Sequence, residues 1–131
     1  MRNLARELAF KLIFERLFVK EHYTFDEEFF ASLKRSEDIE FSKNIVLSFE
    51  QNKETMTNLI SSNLIGYEID RVYKTDLALL YEALTEILYL QTPYQIAVNE
   101  VLNLAKKYST EKSSRFINGV LSSIIKKLNN K

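Results

Sequence analysis

The chain has 131 residues with 18 basic and 18 acidic side chains, one histidine, no cysteine, two glycines and one proline. That length suits one domain with a real core, the scarcity of turn residues disfavours an all-β fold, and the missing cysteines exclude disulfides and cysteine-ligated metal sites. With His22 alone, histidine metal cages and Ser-His-Asp chemistry have almost nothing to work with.

Taken in chain order, apolar residues recur every three or four positions almost throughout. Leu4/Ala5, Leu8/Ala9, Leu12/Ile13 and Leu17 predict a helix from about Asn3 to Lys20. Its charged start (Arg2, Arg6, Glu7, Lys11) is not a signal peptide. No apolar run approaches a membrane span, so a cytoplasmic protein is expected. Thr24 and Glu27 form a capping-box pattern for a short helix through about Lys34. A third helix begins near Ser36 or Asp38 with Ile39, Ile45, Val46 and Phe49. The pattern resumes after a bend at Met56, Leu59, Ile60 and Leu64 and stops by Gly66. Asp70 or Thr75 would cap the next helix, which carries Leu77, Leu80, Leu84, Ile87 and Leu88. Pro93 breaks the chain and suits the start of a helix. The segments "YQIAVNEVLNLAKKY" and "STEKSSRFINGVLSSIIKKL" supply the last two. The expected fold is all-α, a compact bundle of about six or seven helices in a single domain over residues 1–131.

Within the last helix, Asn118-Gly119 is ordinarily a strong β-hairpin signal, but a turn there would cut the stripe of Ile117, Val120, Leu121, Ile124 and Leu128 in half. A helical glycine is expected instead, placed for the close approach of another backbone or a flat base.

The zero net charge hides a segregation. Residues 1–20 carry five basic and two acidic side chains, and residues 105–131 carry seven basic and one acidic, leaving an acidic middle. If the two ends meet, they form one positive face suited to a polyanion. Arg2, Arg6, Phe10 and Phe14, at intervals of four, would line a second face of the first helix. Guanidiniums beside aromatic rings suit single-stranded RNA, charge for phosphates and rings for unstacked bases. Lys112, Arg115 and Phe116 repeat the theme on the last helix. The plainer alternative is that the charges wet helix surfaces and the rings fill the core.

At this point the residues resemble a known family. "PYQIAVNEVLNLAKKY", "RFINGVL" and the opening "RNLARELAFKLIF" are together similar to the NusB family of transcription antitermination factors. The resemblance spans nearly the whole chain and is weakest from about His22 to Tyr67. It implies an all-helical, non-enzymatic protein without cofactor or metal. Such a protein binds boxA-type RNA of ribosomal RNA operons together with the ribosomal protein NusE, within an antitermination complex on RNA polymerase. Carried over by position, it implies RNA contacts for Arg2, Arg6, Phe14 and Phe116. It also implies a place near the partner and RNA surface for Glu86, which stands one helical turn from Glu82. The working mechanism puts Arg2, Arg6, Lys112 and Arg115 on phosphates, Phe14 and Phe116 against bases, and the Glu82/Glu86 face against the basic partner. Asn3 and Leu4 dilute the arginine cluster seen in other members, and Lys112 replaces an acidic residue of some. Alternatives are a helical protein-interaction module without RNA binding, or the RNA-recognition part of a ribosomal RNA cytosine methyltransferase. The short C-terminal "KKLNNK" favours a free-standing factor. Catalysis by Glu82, Glu86 and Asp76 is disfavoured for want of histidine or cysteine partners, and the free chain could form a homodimer that hides the RNA face.

Overall fold

The structure is a computed structural model that describes residues 2–18 and 27–129. Its five α-helices are α1 (Arg2–Arg16), α2 (Ser36–Ser61), α3 (Lys74–Tyr89), α4 (Tyr94–Tyr108) and α5 (Glu111–Asn129). Short 3-10 helices span Glu27–Phe30 and Ile69–Arg71. The all-α class holds, with five long helices among the described residues in place of six or seven. The Thr24 end of the expected capping box lies outside the described residues, and Glu27 opens a 3-10 turn in place of an α-helix. The expected bend before Met56 is absent: α2 runs unbroken for 26 residues and ends before Gly66. Its polar middle, from Gln51 to Thr55, contains only exposed or half-buried side chains, so it needs no apolar residue to continue. Neither Asp70 nor Thr75 caps α3, whose cap position is Tyr73. Pro93 does precede α4 as its cap residue.

α3 is the axis of the molecule. All eleven residues from Asp76 to Glu86 are buried, as expected of a helix enclosed on every side. It packs against each of the other four helices, while α1 packs on α2 and α4 on α5. Small residues bring α1 and α2 together: Ala5 and Ala9 are fully buried, and the Ser42 hydroxyl donates to the Ala5 carbonyl at 2.9 Å. No described helix is long and apolar enough to cross a membrane.

The turn from α3 into α4 puts Gln91 at φ 58°, the left-handed region that helix ends usually reserve for glycine. That turn lets the Thr92 N–H reach the Glu86 carbonyl at 3.0 Å. Gln91→Gly is expected to raise stability by up to about 1 kcal/mol, read as a higher urea midpoint with an unchanged denaturant slope.

Candidate nucleic-acid interface

The four α1 residues expected on one outer face separate in the structure. Arg2 is exposed, its guanidinium 4.0 Å from the centroid of the Phe41 ring on α2. Arg6 is buried instead. Its Nε donates to both oxygens of Glu86, at 3.0 and 2.9 Å, and the two side chains are 8% and 0% exposed. Burial works against the guanidinium's charge, but the Glu86 hydrogen bond and charge outweigh it and leave the pKa above its usual value. Phe10 is also a core residue, 4% exposed and packed on Tyr108 at 5.2 Å. Only Phe14 remains half-buried at the surface. Arg6 thus ties α1 to α3 through the carboxylate that α3 presents to it, and it also lines a small surface pocket with Asn3 and Lys107.

The same geometry corrects the reading of Glu82 and Glu86 as an acidic docking face. Both are 0% exposed. Glu86 is held by Arg6 and by the Thr92 hydroxyl at 3.0 Å. The Glu82 carboxyl receives no donor. Burial first, and then the neighbouring Glu86 charge, push its pKa well above the usual carboxylate range, with Arg6 pulling only partly the other way.

Three of the expected residues do converge. Phe14 of α1 and Lys112 and Phe116 of α5 line one cleft of about 670 Å³, together with Tyr67, Arg71 and Tyr73 from the α2–α3 connection. Phe116 lies 6.1 Å from Tyr67, ring to ring, and Phe14 meets the exposed Phe18 edge-on at 5.1 Å. The α4–α5 corner is fixed beneath the cleft by Asp76, in the first turn of α3. Its carboxylate accepts from the Ser109 and Ser113 hydroxyls at 3.0 and 2.9 Å. Thr110 caps α5 by accepting the Ser113 N–H at 3.2 Å. These bonds orient the turn that carries Lys112 and Phe116.

Arg115 is exposed but lies outside the cleft. Arg2 is twelve residues from Phe14, about 18 Å along α1. Between them α1 meets the end of α4. Glu7 accepts from Lys107 at 2.9 Å and from the Tyr108 hydroxyl, and Lys11 stands 3.9 Å away. Partial burial pushes the Glu7 carboxyl up, but Tyr108 and Lys107 overcome this and hold it below the usual range. The basic N-terminal helix and the basic C-terminal region therefore do meet, through Lys107 and across the cleft. Sequence reasoning missed Tyr67 and Tyr73, which lie in an aperiodic connection. It also missed Lys107, whose place beside α1 depends on a contact 100 residues distant. Among the described residues no cluster of histidine or acidic side chains could hold a metal ion.

Comparison with known families matches residues 3–126 to the NusB family. The chain belongs to the NusB family. A curated relative named transcription antitermination protein NusB, from Finegoldia magna, is 39% identical, the match covering 98% of this chain and 96% of the relative. A Clostridium botulinum (strain Alaska E43) protein of the same name is 38% identical over 96% of this chain and 98% of its own length. Among solved structures, T. maritima NusB superposes with a TM-score of 0.85 at 26% identity, covering 96% of this chain and 91% of its own. A crystal structure of the antitermination factors NusB and NusE in complex with dsRNA matches with a TM-score of 0.83 at 26% identity, covering 95% and 96%. NusB relatives are named for transcription antitermination, a non-enzymatic role.

Proposed function

We propose that this NusB-family chain holds boxA-type single-stranded RNA together with NusE, as part of an RNA polymerase antitermination complex supporting ribosomal RNA transcription. The observation that carries this reading is the convergence of Phe14, Phe116 and Lys112, from opposite ends of the sequence, on one open cleft. Half-buried rings offer faces to unstacked bases, and Lys112 with the exposed Arg115 and Arg2 supplies charge for the flanking phosphates. A solved neighbour that contains NusB and NusE in complex with dsRNA supports NusE and RNA as partners, the single-stranded form resting on the rings in the cleft.

With Glu82 and Glu86 enclosed, the protein partner falls to the exposed apolar rim of the cleft. Tyr73, which lines the cleft, is 77% exposed, and Phe18, packed on the cleft's Phe14, is 61% exposed. Exposed apolar groups clustered in this way mark a protein contact. That rim also favours the second reading, a protein-interaction module without RNA binding.

Titration of fluorescent boxA-type and scrambled RNAs, single- and double-stranded, with and without NusE and at two salt concentrations, separates the readings. RNA contact makes affinity fall steeply with salt. Phe116→Ala is expected to weaken single-stranded RNA binding by about 1–3 kcal/mol and to blunt the preference for the boxA-type sequence, with Phe14→Ala behaving alike. Salt-insensitive binding of NusE with no RNA binding in any arm overturns the RNA reading.

A further inference from the structure

Gly119 lies mid-way along α5, where glycine weakens a helix relative to alanine. A side-chain carbon at this position would meet no atom within 4 Å. Of the two occasions expected for this glycine, the close approach of another backbone is therefore absent among the described residues, and the approach of a flat base is the one left open.

Gly119 belongs to a stripe. Lys112, Arg115, Gly119, Ser122 and Lys126 recur at alternating intervals of three and four, and all five are exposed. None of the three cations forms an ion pair among the described residues. Over residues 94–129 six basic side chains stand against only Glu100 and Glu111. A groove of about 500 Å³ runs beside the stripe between α4 and α5, walled by Tyr94, Asn99, Asn118 and Ser122 and containing no carboxylate. Lys112 is common to the stripe and to the cleft. The positive surface therefore continues from the cleft for about 21 Å along α5.

We propose that RNA flanking the element held in the cleft lays its sugar–phosphate backbone along this face of α5. Lys112, Arg115 and Lys126 neutralise phosphates, and Gly119 is the point of closest approach. Asn118 and Ser122 offer an amide and a hydroxyl to phosphate oxygens and 2′-hydroxyls, contacts that position a strand without reading its sequence. Unpaired cations between uncharged polar walls match a polyanion, whereas a protein helix would need an exposed apolar anchor. Of the groove's apolar side chains Val98, Leu102 and Ile125 are already half-buried, and the exposed one, Tyr94, offers a ring face on which a base can stack.

The inference rests on the RNA-binding reading, and the test keeps the two apart. Two RNAs are titrated against the full chain with NusE: a core boxA-type RNA, and the same RNA extended on its 5′ or its 3′ side. The parent is expected to bind one extended RNA more tightly than the core. Lys126→Ala should abolish that advantage and lower the salt slope by about 0.7, with core binding unchanged. Gly119→Ala should raise Tm, because the helix gains a better former in open space, yet weaken binding of the extended RNA. A merely structural role for Gly119 cannot give those opposite signs. Normal core binding with no gain on extension, or with Lys126→Ala and Gly119→Ala binding the extended RNA as the parent does, overturns the inference alone. Failure to bind the core RNA overturns the RNA reading and the inference with it.

Discussion

Arg6→Ala is expected to cost the fold about 3–5 kcal/mol, the penalty for stranding a buried charge. Arg6 and Glu86 lie on α1 and α3, 80 residues apart, and pair with both side chains enclosed. Removing the guanidinium leaves Glu86 buried with only neutral partners, the Thr92 hydroxyl and the protonated carboxyl of Glu82. Urea unfolding should show the loss as a lower midpoint with an unchanged slope. Arg6→Met combined with Glu86→Leu should recover most of it, since an apolar pair of similar volume often replaces a buried ion pair without loss. A single variant as stable as the parent would contradict the buried pair. Any loss of RNA binding in Arg6→Ala is then to be read against its stability, because this arginine also ties α1 to α3.

Glu82→Leu should act in the opposite direction and stabilise the fold at pH 7 by about 1–4 kcal/mol. The folded protein holds the Glu82 proton well above the ordinary value of 4.5. Below about that pH both states are protonated and the group makes no difference. As pH rises further the unfolded chain ionises while the folded one does not, so unfolding gains about 1.4 kcal/mol per pH unit until the folded pKa is reached. The advantage of Glu82→Leu should therefore grow from mildly acid to neutral pH. Glu82→Gln, which keeps the shape but cannot ionise, should share that pH dependence with a smaller gain. Urea titrations at stepped pH check this. A Leu-minus-parent difference that stays flat with pH would show that Glu82 remains charged in the folded state and has found a partner.

The helices were largely legible because their apolar periods are long and Pro93 punctuates them. α1, α4 and α5 follow the predicted stripes, and Asn118-Gly119 stays helical because Ile117, Val120 and Leu121 all need one core. Of the candidate site, the sequence singled out some residues that come together and others that do not. Phe14, Lys112 and Phe116 could be found from charge, aromaticity and the family resemblance, and they share a cleft. Arg6, Glu82 and Glu86 could not be assigned from local pattern. Periodicity says which positions share a face but not which helix covers that face. On α1 it could not tell Arg2, against solvent and Phe41, from Arg6, against Glu86. In α3 the clue lay in its apolar density: carboxylates within "LALLYEALTEILY" sit among residues that leave no polar side, so they are enclosed by their neighbours.

The enclosed α3 ties the molecule's two working ends to one rod. Near its start Asp76 grips the corner that carries Lys112 and Phe116, and about 15 Å further on Glu86 grips α1, whose far half carries Phe14. The two ring-bearing walls of the cleft are thus mounted on a single spindle sheathed by four helices. The spacing between them is set when the chain folds, so on the proposed reading a nucleic acid would spend little of its binding energy on shaping the host.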